Sequence, residues 1–149
     1  MTAHLAAPRS AVYRALLDRD AVARWKVPPG MTSEVHEWDA REGGRLRVSL
    51  TYESADQAGK TTGHTDTYSG YFAELVPDEK VVEVDEFETA DPLLGGAMTI
   101  TVALTDADDG GTDLIAVHEG LPDGVLPADN ELGWRESLAR LAALVENGD

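Results

Sequence analysis

With 149 residues, 42% of them hydrophobic, the chain has the length and composition of one folded domain, which excludes wholesale disorder. A net charge of −16 repels phosphate backbones and anionic lipid heads, so no nucleic acid and no membrane is expected as a partner, whereas a basic protein surface would be attracted. There is no cysteine, which removes disulfides, thiolate metal sites and thiol nucleophiles together.

No apolar run approaches about 18 residues, and no basic-then-apolar leader opens the chain. The expectation is a cytoplasmic, single domain spanning 1–149. Met1 to Ala7 is short and partly apolar and reads as an edge strand. Pro8 suits the first turn of a helix, and Val12, Ala15, Leu16, Val22 and Trp25 follow helical spacing. Asp18 or Asp20 breaks the run, so two short helices are predicted, Pro8–Leu17 and Asp20–Lys26, closed by Pro28-Pro29-Gly30.

Strands follow. Glu34 to Asp39 reads as one, and Arg41-Glu42-Gly43-Gly44 as a turn. Arg45 to Tyr52 alternates, with Leu46, Val48, Leu50 and Tyr52 on one face and Arg45, Arg47, Ser49 and Thr51 on the other. Ser54 to Gly63 is polar and glycine-containing, as a hairpin loop would be. His64 to Leu75 and Lys80 to Phe87 are the next strands, and a loop runs through Pro92 and Gly95-Gly96. Met98, Ile100, Val102 and Leu104 alternate again, an acidic turn spans Asp106 to Gly111, and Thr112 to Glu119 returns antiparallel. Gly120 to Pro127 leads into the longest helix, Asp129 to Glu146, capped by Asp129 or Asn130 and stopped by Asn147-Gly148. Its large apolar residues Trp134, Leu138, Leu141 and Val145 form one stripe, which needs a broad apolar surface. Because most of the chain is strand, that surface is a sheet, and the class is α+β.

Several blocks resemble a known family. Ala7 through Leu16 followed by Trp25, Trp38 through Arg45 with its double glycine, Gly70 through Lys80, Gly111 through Leu114, and Gly133-Trp134 through Leu141 come in the order found in START-like (SRPBCC) proteins. More narrowly, they are similar to the branch named for the activator of the heat-shock protein 90 ATPase. The resemblance covers nearly the whole chain. It implies a helix-grip fold, a curved antiparallel sheet of six or seven strands wrapped around the long carboxy-terminal helix with a cavity between them. Three departures stand out. The first strand is short and carries His4, Lys26 stands where many relatives have a second aromatic, and the chain has no room for the co-chaperone's additional amino-terminal domain.

The residues that would line such a cavity are Trp25, Trp38, Leu50, Tyr52, Tyr68, Tyr71, Phe87, His118, Trp134 and Leu138. Taken singly, each aromatic among them is more readily explained as plain core. Gly133 costs helix stability, and close packing on the sheet or ligand contact would each account for it. His118 shares a strand face with Leu114 and Ala116 and so looks inward, where it would act as a proton donor or acceptor or simply as a bonded core residue. His36-Glu37 and His118-Glu119 cannot clasp a metal as adjacent pairs, because neighbours on a strand face opposite sides. His64 and Asp66 share a face, but polar residues facing solvent at a hairpin end would look the same. Asp106, Asp108 and Asp109 lack the spacing of a calcium loop. No metal, no cofactor and no catalytic constellation is expected.

The leading expectation is therefore binding of a small hydrophobic molecule between sheet and terminal helix, for sequestration or sensing. The alternatives are a co-chaperone-like interaction module docking on a heat-shock protein ATPase, and an enzyme of the cyclase or aromatase type found among START-like relatives. The chain would act as a monomer or homodimer.

Overall fold

Seven strands pair antiparallel in the order β1-β7-β6-β5-β4-β3-β2 in a computed structural model that describes residues 1–28, 30–53 and 65–147. In chain order the elements are β1 (Thr2–Leu5), α1 (Arg9–Leu17), α2 (Arg19–Trp25), β2 (Met31–Trp38), β3 (Arg45–Tyr52), β4 (Thr65–Val76), β5 (Lys80–Phe87), β6 (Met98–Asp106), β7 (Thr112–Glu119) and α3 (Pro127–Glu146). This is the expected α+β helix-grip architecture. The expected hairpin loop at 54–63, and His64 with it, lie outside the described residues.

The sheet is bent by two bulges, one between Val35 and Glu37 and one between Phe72 and Glu74, each of which sharpens the local twist. Its concave face carries Leu46, Val48, Phe72, Val102, Leu104 and Leu114, all essentially buried. Against it lie Val12 and Leu16 of α1, Val22 and Trp25 of α2, and Leu138 and Leu141 of α3, in one continuous apolar cluster. Trp134 and Val145 pack at its margin, so the predicted stripe on α3 does face the sheet. Two indole N–H groups fasten α1 to its neighbours: Trp25 Nε1 of α2 donates to the Ala15 carbonyl at 2.9 Å, and Trp38 Nε1 of β2 to that of Leu17 at 2.7 Å.

Helix boundaries differ from expectation for local reasons. α3 begins at Pro127, whose ring presets helical φ and whose missing N–H is no loss in the first turn. Asp129 is therefore inside the first turn, where its charge meets the unpaired N–H groups, and neither it nor Asn130 is the cap. α2 is capped by Asp18, whose carboxylate accepts from the N–H groups of Asp20 (2.9 Å) and Ala21 (3.1 Å). Asp18→Ala should cost about 1 kcal/mol in urea denaturation, the usual worth of such a cap.

The two chain ends meet. β1 pairs with β7, the amino-terminal ammonium of Met1 donates to the Ala116 carbonyl at 2.9 Å, and the Ala6 N–H donates to Glu146 on α3. His4 is bridged on both ring nitrogens, by Asp113 and Asp109 at 2.9 Å each, and these carboxylates raise its pKa. Asp109 also accepts from the Gly111 N–H, and Asp106 pairs with Arg9. The acidic run is thus a turn in which Asp106 is spent on Arg9 and Asp109 on His4 and backbone.

Candidate functional site: a cavity between sheet and terminal helix

Concave sheet and straight helix do not meet along their whole length. At the amino-terminal half of α3 they part to leave a cavity of about 470 Å³, within the size range of small-molecule sites. The sheet supplies Leu50 and Tyr52 from β3, Tyr68 from β4, Phe87 from β5, and Met98 and Ile100 from β6. Leu126, Gly133, Trp134 and Ser137 supply the helix side, and Pro28 and Met31 close the end beyond α2. Leu126 lines the cavity yet is 64% exposed, so it marks the mouth. Beside it the Gly124 N–H donates to the Leu93 carbonyl at 2.6 Å, which joins the loops after β5 and β7. A side chain at Gly124 would press on that carbonyl, its Cβ 2.8 Å away.

The interior is not uniformly apolar. Lys26, Asp66 and Asp85 also line it, and Lys26 Nζ lies 2.7 Å from Glu83 Oε2, with both side chains almost wholly buried. Lys26 Nζ also stands 5.5 Å from the ring centre of Trp134 and 5.7 Å from that of Tyr68, within cation–π range. Glu83 and Asp85 sit two residues apart on β5 and share its inner face with Val81 and Phe87. Burial alone would lower the Lys26 pKa, but the negative field of Glu83 outweighs it and holds the ammonium charged. Burial would raise Glu83, and Lys26 reverses that, keeping its carboxylate ionised. Asp85 has no cation of its own; burial, the neighbouring Glu83 charge and the hydrogen bond its protonated form makes to Glu83 hold its pKa well above the ordinary carboxylate range. Its Oδ1 has no hydrogen-bond partner. Gly70 faces Asp85 across the β4–β5 ladder, and a Cβ there would come within 2.5 Å of Oδ1 and 1.9 Å of the Val84 carbonyl. Only glycine leaves room for the acid.

His118 is held by Asn130 of α3, whose amide donates to Nδ1 at 2.7 Å, and its ring packs edge-on to Trp134 at 4.6 Å between centroids. Burial, assisted by the Lys26 charge, lowers its pKa to about 4, so the ring is neutral at pH 7 with its proton on Nε2. That N–H is buried without a hydrogen-bond partner.

Of the ten residues expected around the cavity, Leu50, Tyr52, Tyr68, Phe87 and Trp134 line it, and the other five do not. Trp25 and Leu138 are core, Trp25 meeting Trp134 edge-on at 6.2 Å. Trp38 packs on Phe72 at 5.2 Å, and His118 supports Trp134 rather than facing the cavity. Tyr71 is corrected outright. It stands on the outer face, 47% exposed, because it is an odd number of residues from Tyr68 on the same strand. His36 is bonded to Ser49, which in turn bonds Thr67, a chain on the outer side of β2–β4. Among the described residues no group of three His, Asp or Glu side chains is placed to hold a metal.

Close packing does not explain Gly133. Nothing lies within 4 Å of where its Cβ would be, and the residue opens onto the cavity. Gly133→Ala should therefore raise stability by about 0.8–1 kcal/mol, the difference in helix propensity, while narrowing the cavity. A thermal melt checks the first effect; an unchanged or lower midpoint would mean that the open space is needed for folding.

A curved antiparallel sheet gripping a carboxy-terminal helix over a partly polar cavity defines a START-like domain of the helix-grip class. The chain belongs to the family described as Activator of Hsp90 ATPase homolog 1-like protein, whose sequence model matches residues 6–146. A crystal structure of a protein from Chromobacterium violaceum is 36% identical, with a TM-score of 0.87 over 98% of this chain and 94% of that one. The AHSA1-like protein of Aeromonas hydrophila, solved by NMR, is 19% identical with a TM-score of 0.73, covering 99% and 90% of the two chains. A crystal structure from Mycobacterium smegmatis shares the fold at 20% identity, with a TM-score of 0.71 over 98% and 86%. No curated protein matches the chain. No helix among the described residues is long and apolar enough to cross a membrane.

Proposed function

We propose that the protein binds a small, largely apolar molecule in the cavity between the sheet and α3, for sequestration or sensing. The observation that carries this reading is the cavity wall itself. Aromatic and aliphatic side chains from five strands converge on Trp134, with a few polar groups inside and an apolar mouth at Leu126. Such a wall rewards an apolar body by burying its surface, at about 25 cal/mol per Å². The polar groups fix orientation. Native mass spectrometry of protein purified from its own host tests the reading. A retained small molecule, lost from Trp134→Ala, is the expected result. No retained mass, together with no thermal shift across a panel of ring-bearing apolar compounds, would overturn it.

A second reading, docking on a heat-shock protein 90 ATPase, is favoured by the name of the matching family and permitted by the charge of −16. Its mark would be salt-sensitive co-purification with that ATPase, unaffected by Trp134→Ala.

A further inference from the structure

The polar end of the cavity contains more carboxyl groups than it has cations to match. Glu83, 5% exposed, takes the Lys26 ammonium at 2.7 Å. Asp85, 2% exposed, is hydrogen-bonded to Glu83 yet lines the cavity with its Oδ1 unpartnered, and the Lys26 ammonium is already committed to Glu83. Asp129, in the first turn of α3, lines the same cavity and adds a further acid; Asp66 does so too, with interactions of its own. An anionic head group would have to displace Glu83 from Lys26 and then sit beside Asp85. An ammonium would meet an oxygen that wants a donor.

We infer that the ligand carries a primary or secondary amine on its apolar body, and that this amine enters as the second cation of the Lys26–Glu83–Asp85 cluster, opposite Asp85. The inference rests on the apolar-ligand reading above and names the head group of that same ligand. The groups facing Asp85 and Glu83 are Lys26 after α2, Tyr68 and Asp66 on β4, His118 on β7 and Asp129 on α3. With the amine bound, two ammonium groups face two carboxylates and Asp85 gives up its proton to solvent. The rings of Trp134 and Tyr68, which already face Lys26, offer the incoming cation the same kind of surface.

Three probes of one shape separate this from its alternatives: 2-naphthylmethylamine, 2-naphthylmethanol and 2-naphthoic acid, titrated calorimetrically into the full chain at pH 7. The amine should bind at least tenfold more tightly than the alcohol, and the acid most weakly. Asp85→Asn, which keeps the shape and removes the ionisable group, should bring amine and alcohol together while alcohol binding persists. Should that variant fail to fold, wild-type titrations in two buffers of different ionisation enthalpy report the proton released with the amine alone. Alcohol or acid binding as tight as amine binding overturns the head-group assignment and leaves the apolar-ligand reading standing. An amine preference that survives in Asp85→Asn, or disappears in 0.5 M NaCl as general attraction to an acidic surface would, overturns it too. Binding of none of the three overturns both.

Discussion

Lys26→Met is expected to destabilise the fold by about 3–5 kcal/mol at pH 8, the cost of leaving a buried charge without its partner. Lys26 and Glu83 are both almost wholly buried, so water cannot take over the role of the lost ammonium. The pH dependence gives the prediction its edge. In the wild type, Lys26 depresses the folded pKa of Glu83, so that group's contribution is present above its unfolded value and lost as pH falls through the folded one. Asp85 runs the other way: its folded pKa is raised, so its contribution is present below its unfolded value and lost as pH rises through the raised one. Without Lys26, burial raises Glu83 as well, and both carboxyls oppose folding as pH rises. Urea midpoints at pH 5 and pH 8 should show the gap between variant and wild type narrowing in acid. A gap independent of pH would mean that Glu83 never relied on this ammonium. Replacing Lys26 and Glu83 together by Met and Leu should recover much of the loss, since a packed apolar pair is often as stable as a buried ionic one.

Trp134→Ala should cost about 3 kcal/mol, the lower end for a large aromatic because the indole is only partly buried. The residue touches Trp25, His118 and the Lys26 ammonium while forming one wall of the cavity, so its removal loosens core and cavity together. Trp134→Phe should restore most of the stability. If the cavity holds ligand through aromatic contact, it should restore part of the binding as well. A loss under 1 kcal/mol in urea denaturation would show that α3 is anchored by Leu138 and Leu141 alone.

These two residues show how unequally the sequence speaks. Trp134 was legible because it starts a four-member apolar stripe at helical spacing, and such a stripe on one long helix beside many strands has few homes. The alternation of Arg45 to Tyr52 was equally plain, and β3 has those bounds. β5 misleads by the same rule. In Lys80 to Phe87 the eye pairs Val82 with Val84 as the inward set, yet Glu83 and Asp85 are the buried ones. The register that sets this parity aligns Phe87 with Tyr68, and the bulge between Phe72 and Glu74 shifts the remainder, neither of which is written in β5 itself. The signals that were available are the shared parity of Glu83 and Asp85 with Phe87, and of Asp66 with Tyr68. Lys26 could be noticed as unlike an aromatic but not paired, because its partner is 57 residues away and on another element. Tyr71 is misplaced when aromatics are counted without parity, and of the two explanations the sequence allows for Gly133, the open space around it removes close packing.

The meeting of the chain's two ends constrains how the molecule is made. β1 hydrogen-bonds residues 112–115 of β7, and Ala6 binds Glu146 on α3. β1 therefore has no place to dock until more than a hundred further residues have left the ribosome, several seconds or more at about 5–20 residues per second. Throughout that interval β1 has no strand to pair with. A helper protein that covers β1 in that interval would act on this chain as its client.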